Sequence, residues 1–143
     1  MFTTIKEYIA KNSKSKSNID AILKNCGNTG DLQEFQKSYI IIDNECCLIF
    51  KLQGNKLDNL YFVDAIFTKE EFRKQGFAQK LLKKLPKDLL FIFDTLEDDL
   101  KRFLIKQNAR EMNYISSDLK KRKQFLFSTS NNYSFIPKKD IDF

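Results

Sequence analysis

Six consecutive residues, Arg73-Lys74-Gln75-Gly76-Phe77-Ala78, carry the most specific chemistry in the chain. A basic pair precedes one of only four glycines, and a helical run through Lys80, Leu81 and Leu82 follows. The first N–H groups of a helix have no intrahelical acceptors and lie at the positive end of its dipole, so such a start attracts anions. A glycine there lets a ligand approach the backbone. The competing account is an ordinary helix start beside solvated lysines. Elsewhere the inventory mostly excludes. There is no histidine, which removes the commonest general base and the commonest metal ligand together. Cys26, Cys46 and Cys47 are odd in number and lack C-x-x-C spacing, so they define neither a disulfide framework nor a zinc site, and no metal is expected. With no histidine to activate a thiolate, Cys46 and Cys47 read as hairpin packing.

The elements that must position the loop follow from periodicity. Tyr39 to Asp43 and Cys46 to Leu52 form a hairpin about Asn44-Glu45, beginning from Ser38. A long strand over 58–68 comes next, antiparallel to the last, and runs into the loop. The following helix spans 76–85 and stops at Pro86. Leu89 to Phe93 is an unbroken apolar run, which after strand and helix reads as a parallel strand buried on both faces. Thr95 with Asp98 opens another helix, with Leu96, Leu100, Phe103 and Leu104 on its inner face. Closing strands lie at 112–117 and 123–129.

The first 37 residues read as helical. Thr4 and Glu7 suit a capping box for a helix over 4–11, with a strand over 2–9 as the alternative. A polar connector, 11–17, leads to a helix capped by Ser17 and Asp20 and stopped by Gly27, with Ile19, Ile22, Leu23 and Cys26 on one face. Asp31 and Glu34 suit a short helical turn carrying Leu32 and Phe35. The whole is one domain over 1–143: a helical part (1–37), a core (38–130) and a tail (131–143). Its class is α/β, a mixed sheet covered by helices.

The chain has 143 residues, a net charge of +6 and 14 phenylalanines. That length supports a real core, and the charge favours anionic partners. The start carries no basic region followed by an apolar run, and no stretch approaches a membrane span, so a cytoplasmic, membrane-free protein is expected.

Element order and loop together resemble the GCN5-related N-acetyltransferase family. Its pattern of Arg or Gln, two residues, Gly, one residue, then Gly or Ala reads here as Arg73 to Ala78. Ile66-Phe67-Thr68 stands as the preceding aliphatic strand, Lys69-Glu70-Glu71 as the acidic turn and Phe72 as the aromatic before the Arg. The resemblance implies a mostly antiparallel sheet with a central, splayed parallel pair. It implies acetyl-CoA as cosubstrate, its pyrophosphate on the N–H groups of Arg73, Lys74, Gln75, Gly76, Phe77 and Ala78. Its pantetheine arm would pair with the main chain of Ile66, Phe67 and Thr68.

Two family positions are not matched. The family's strand Glu falls on Leu60, so Asp64, on the same face by the period of two and another position where the family carries an acid, is the favoured base, with Asp58 second. A hydrogen-bonded structural carboxylate is the other account of Asp64. The family's acid, a Tyr in the later helix, falls on Leu104, and its Gly on Asn108; Tyr114, Ser116 or a water would then substitute. The expected function is an N-acetyltransferase acting by direct attack of a primary amine. The alternatives are an inactive acyl-CoA-binding or protein-interaction domain, and an RNA-binding module. The expected partner is an amine acceptor of unassigned identity. Nucleic acid is a weaker candidate through the lysines of 120–123 and 138–139, and a homodimer is left open.

Overall fold

The computed structural model describes residues 2–28, 30–43, 45–53, 59–95, 97–115 and 121–130, with side chains for all of these except 113–115 and 121–123. Asp58, Leu96, Ser116, Lys120 and the tail with its lysines at 138–139 lie outside the described residues.

Seven strands form one mixed sheet: β1 (Thr3–Thr4), β2 (Tyr39–Asp43), β3 (Cys46–Leu52), β4 (Leu60–Thr68), β5 (Leu90–Thr95), β6 (Arg110–Ile115) and β7 (Lys121–Ser128). Their spatial order is β1-β2-β3-β4-β5-β7-β6. Every neighbouring pair is antiparallel except β4 and β5, which are parallel. The helices are α1 (Ile5–Lys11), α2 (Lys16–Asn25), α3 (Phe77–Lys84) and α4 (Asp98–Lys106).

Both readings of the N-terminus hold in part. Thr3–Thr4 pairs with β2, and the Thr4 hydroxyl then accepts from the Glu7 N–H at 3.2 Å to cap α1. The expected Ser17 cap does not form. A 3₁₀ turn at Ser13–Ser15 feeds directly into α2, so Ser17 lies inside the helix. Thr95 belongs to β5 rather than capping α4; its hydroxyl accepts from the Glu97 N–H at 3.0 Å, and Glu97 is the cap residue.

Alternation along the strands sends side chains to opposite faces. On the first face, Leu48, Phe50, Phe91, Phe93 and Phe125 pack under Leu81 and Leu82 of α3 and Leu104 of α4. On the second, Ile40, Ile49 and Ala65 pack under Ile5 of α1 and Ile19, Ile22 and Leu23 of α2. Leu90, Ile92 and Leu126 make a third cluster with Leu60 and Phe62. Each fully buried aliphatic or aromatic side chain stabilises by roughly 1.5–3 kcal/mol. Pairing of β3 with β4 slips by one residue: Phe50 faces Val63, but Ile49 faces Ala65. Asp64 is the extra residue of this β-bulge. Tyr61 and Val63 therefore face the first core, whereas Ala65 and Phe67 face the second.

Candidate active site

The parallel pair is short. β4 and β5 match at Leu60–Leu90, Tyr61–Phe91 and Phe62–Ile92 and no further. Beyond that point β4 stays with β3 as far as Thr68, and β5 stays with β7 as far as Thr95. The two central strands diverge because each follows its outer partner. A cavity of ≈ 60 Å³ lies in the gap, lined by Cys26, Val63, Asp64, Phe93, Asp94 and Glu97 among others. It adjoins a larger groove of ≈ 530 Å³ whose lining includes Ile66, Phe67, Thr68, Arg73, Ala78 and Phe103.

The loop after β4 is a 3₁₀ turn, Glu70–Phe72, followed by backbone in two left-handed positions: Lys74 at φ 63° and Gly76 at φ 83°. Gly76 is the N-cap of α3, and a Cβ added there would meet nothing within 4 Å. Glycine is therefore needed for backbone conformation, with open space beside it. Among the described residues, no backbone or side-chain group accepts from the N–H groups of Lys74, Gln75, Gly76, Phe77 or Ala78. Five consecutive donors thus stand unengaged in the segment that joins Arg73 to Ala78, both of which line the groove, and free N–H groups at a helix start suit phosphate. Phe72 and Phe77 meet edge-on with centroids 6.0 Å apart, and Phe77 packs onto the core, which anchors the loop at both ends.

Asp64 sits where the bulge turns its side chain beside β3 and the segment before β2. Its carboxylate accepts from the Ser38 hydroxyl at 3.3 Å and lies 3.6 Å from Lys51 Nζ, with only 4 % of the side chain exposed. Burial raises its pKa; Lys51 and Ser38 oppose that rise without cancelling it.

The C-terminal end of α2 closes the other wall. The Asn28 side-chain amide donates to the Asp64 carbonyl at 2.8 Å and to the Leu23 carbonyl at 3.2 Å. Cys26 Sγ lies 3.8 Å from the Ile66 carbonyl. Burial, followed by Glu97, pushes the Cys26 thiol up to about 11, so it is neutral at physiological pH.

The structure brings together Ile66, Phe67, Thr68, Arg73 and Ala78 in one groove, with Asp64 in the adjoining gap. Lys74, Gln75, Gly76 and Phe77 lie between Arg73 and Ala78 in the chain but do not themselves line that groove. Tyr114 is not brought to the gap. It lies on β6, paired with Arg122 of β7, and β7 separates β6 from β5. That places its backbone about 10 Å from β5 at ordinary strand spacing. Leu104 is fully buried in the core beneath the sheet, which leaves no opening for a proton donor at its position. Sequence reasoning missed Cys26 as a cleft residue, and Ser38, Asn28 and Lys51 as partners of Asp64. Only Cys26 carried a signal, as the last residue of the apolar stripe before Gly27.

An α/β sheet opened at its single parallel pair, above a helix N-terminus with free amides, is the class that the fold and cleft define, and it agrees with the expected architecture. No family model matches the chain, and no curated protein matches it. Among solved structures, it is similar to the crystal structure of a candidate acetyltransferase from Agrobacterium tumefaciens, with 16 % identity, 90 % of this chain and 97 % of that chain covered, and a TM-score of 0.44. At that distance the likeness carries no weight for fold or activity.

Proposed function

We propose that the chain is an acetyl-CoA-dependent N-acetyltransferase that acylates a primary amine by direct attack. The observation that supports this reading best is the run of unengaged N–H groups from Lys74 to Ala78 beside the parted strands. They would hold the pyrophosphate. The main chain of Ile66 to Thr68, past the point where β5 parts from β4, would take the pantetheine arm, with the Thr68 carbonyl already held by Arg73. Bound there, acetyl-CoA would supply an activated acyl group: the amine nitrogen bonds to the thioester carbonyl carbon, the amine gives up a proton to a base, the C–S bond breaks, and the sulfur leaves as thiolate.

Within this reading Asp64 takes that proton from the amine. Its raised pKa makes it a stronger base than an exposed carboxylate, and its bonds to Ser38 and Lys51 hold it in one orientation. Most of the rate gain would come from placing amine and thioester together. Among the described residues there is no cluster of side chains that could hold a metal and no helix able to cross a membrane, and the reading needs neither.

One observation favours a second reading, an acyl-CoA-binding domain without turnover. Leu104 is core, and Tyr114 stands two strands from the gap, so neither supplies an acid to the leaving thiolate. Two measurements test both readings. A rise in melting temperature with acetyl-CoA is expected under either, and no shift at millimolar concentration defeats both. Release of free thiol with a panel of amines is expected only under the first.

A further inference from the structure

Arg73 is the obvious candidate to grip phosphate, yet the recorded contacts of its side chain are with the strand before the loop. Its Nε donates to the Thr68 carbonyl at 2.9 Å, and its guanidinium carbon lies 5.7 Å from the centre of the Phe67 ring. Both contacts are with the last two residues of β4. Its own N–H donates to the Glu70 carbonyl at 3.2 Å, and Gln75 Nε2 donates to the Glu71 carbonyl at 3.2 Å, so the connector between strand and cradle is braced twice. The planar fork of an arginine suits such a brace, since donor and stacking plane are fixed relative to each other.

The geometry points to Arg73 as a positioning residue that sets the spacing between the end of β4 and the amide cradle, with the backbone N–H groups holding the phosphates. This rests on the acetyl-CoA reading above. A ligand that engages both places gains from their fixed separation, as a bivalent ligand gains from a matched linker. A ligand that engages the cradle alone gains nothing from it.

The test compares coenzyme A, which spans both places, with ADP, which offers only the pyrophosphate and nucleoside, each titrated by calorimetry at constant ionic strength. In Arg73→Met, coenzyme A affinity should fall by about tenfold while ADP affinity stays within about twofold. Arg73→Lys keeps the charge without the Nε donor, and it should still weaken coenzyme A severalfold. Equal losses for both ligands in Arg73→Met, full recovery of both in Arg73→Lys, or no loss in either variant would overturn the inference. A wild-type chain that binds neither ligand defeats the proposed function itself, and this is seen before any variant is made.

Discussion

Asn28 and Asp64, 36 residues apart, are joined by a 2.8 Å hydrogen bond from the Asn28 side-chain amide to the Asp64 carbonyl. The same amide donates to Leu23, so one side chain both closes α2 and steadies the bulge that turns Asp64. Asn28→Ala leaves two part-buried carbonyls without this donor and should cost about 1–3 kcal/mol. The midpoint of urea unfolding reads this directly, and an unchanged midpoint would show that water replaces the amide at no cost.

Gly76 holds φ 83° beside open space. Gly76→Ala should destabilise by about 1–2 kcal/mol from backbone strain alone. Gly76→Asp adds a carboxylate at the cradle, so acetyl-CoA should no longer raise the melting temperature while the protein stays folded. A wild-type shift in Gly76→Asp would place the phosphate site elsewhere.

Burial holds the Asp64 carboxyl above the ordinary aspartate value of 3.8 in the folded chain. The folded state therefore keeps this proton where the unfolded state has lost it, and stability falls as pH rises from 3.8 through the raised value. Asp64→Asn should lack that slope, as urea midpoints at several pH values would show. Should Asp64 be the base, transfer should climb with pH through the same window and lose that limb in Asp64→Asn. An identical pH–rate limb in the variant assigns the proton transfer to another group.

Burial pushes Cys26 up to about 11 and Cys47 up to about 12, each from 9.0. At pH 8 the thiolate fraction of Cys26 is about a hundredfold below that of an unperturbed thiol, and labelling should slow accordingly. Acetyl-CoA should slow Cys26 further, since this thiol lines the cleft. Both raised thiols also make stability fall as pH climbs above 9, because the unfolded chain releases those protons first. Labelling of Cys26 at the rate of a free thiol would contradict its placement.

Leu104 is fully enclosed. Leu104→Ala should cost about 2–5 kcal/mol. Leu104→Tyr should also destabilise, by about 1–3 kcal/mol through overpacking, and should not raise turnover. A more active Leu104→Tyr would mean that the helix face opens onto the cleft.

Much of this was legible in the chain because its signals are local. The hairpin, the long strand, the loop around Gly76 and the buried run at 90–93 each announce themselves within about ten residues through alternation, turn chemistry and breakers. The bulge does not, since odd-numbered residues stay apolar on both sides of Asp64 while the face they serve changes. Nor do the contacts of Asn28 and Cys26 with β4, or the placement of β7 between β5 and β6, because each joins segments that no sequence window contains. Those long-range contacts give Asp64 its partners, so the glycine loop could be read from sequence and the wall of the gap around Asp64 could not.

A seven-stranded sheet ordinarily has two edges, and this one also parts in its middle. Past Phe62 and Ile92, β4 and β5 no longer pair with each other, and on β4 the carbonyls of Asp64, Ile66 and Thr68 meet Asn28, Cys26 and Arg73 instead. On β4 the parted stretch runs six residues, Val63 to Thr68, about 20 Å of extended backbone. It is longer than the outer border offered by the two-residue β1. Open sheet borders invite pairing with a stray polypeptide, and side chains that cap the carbonyls blunt such a border. A ligand seated in the gap would cover the rest of that stretch, and a chain saturated with it should resist strand-to-strand aggregation better than the empty one.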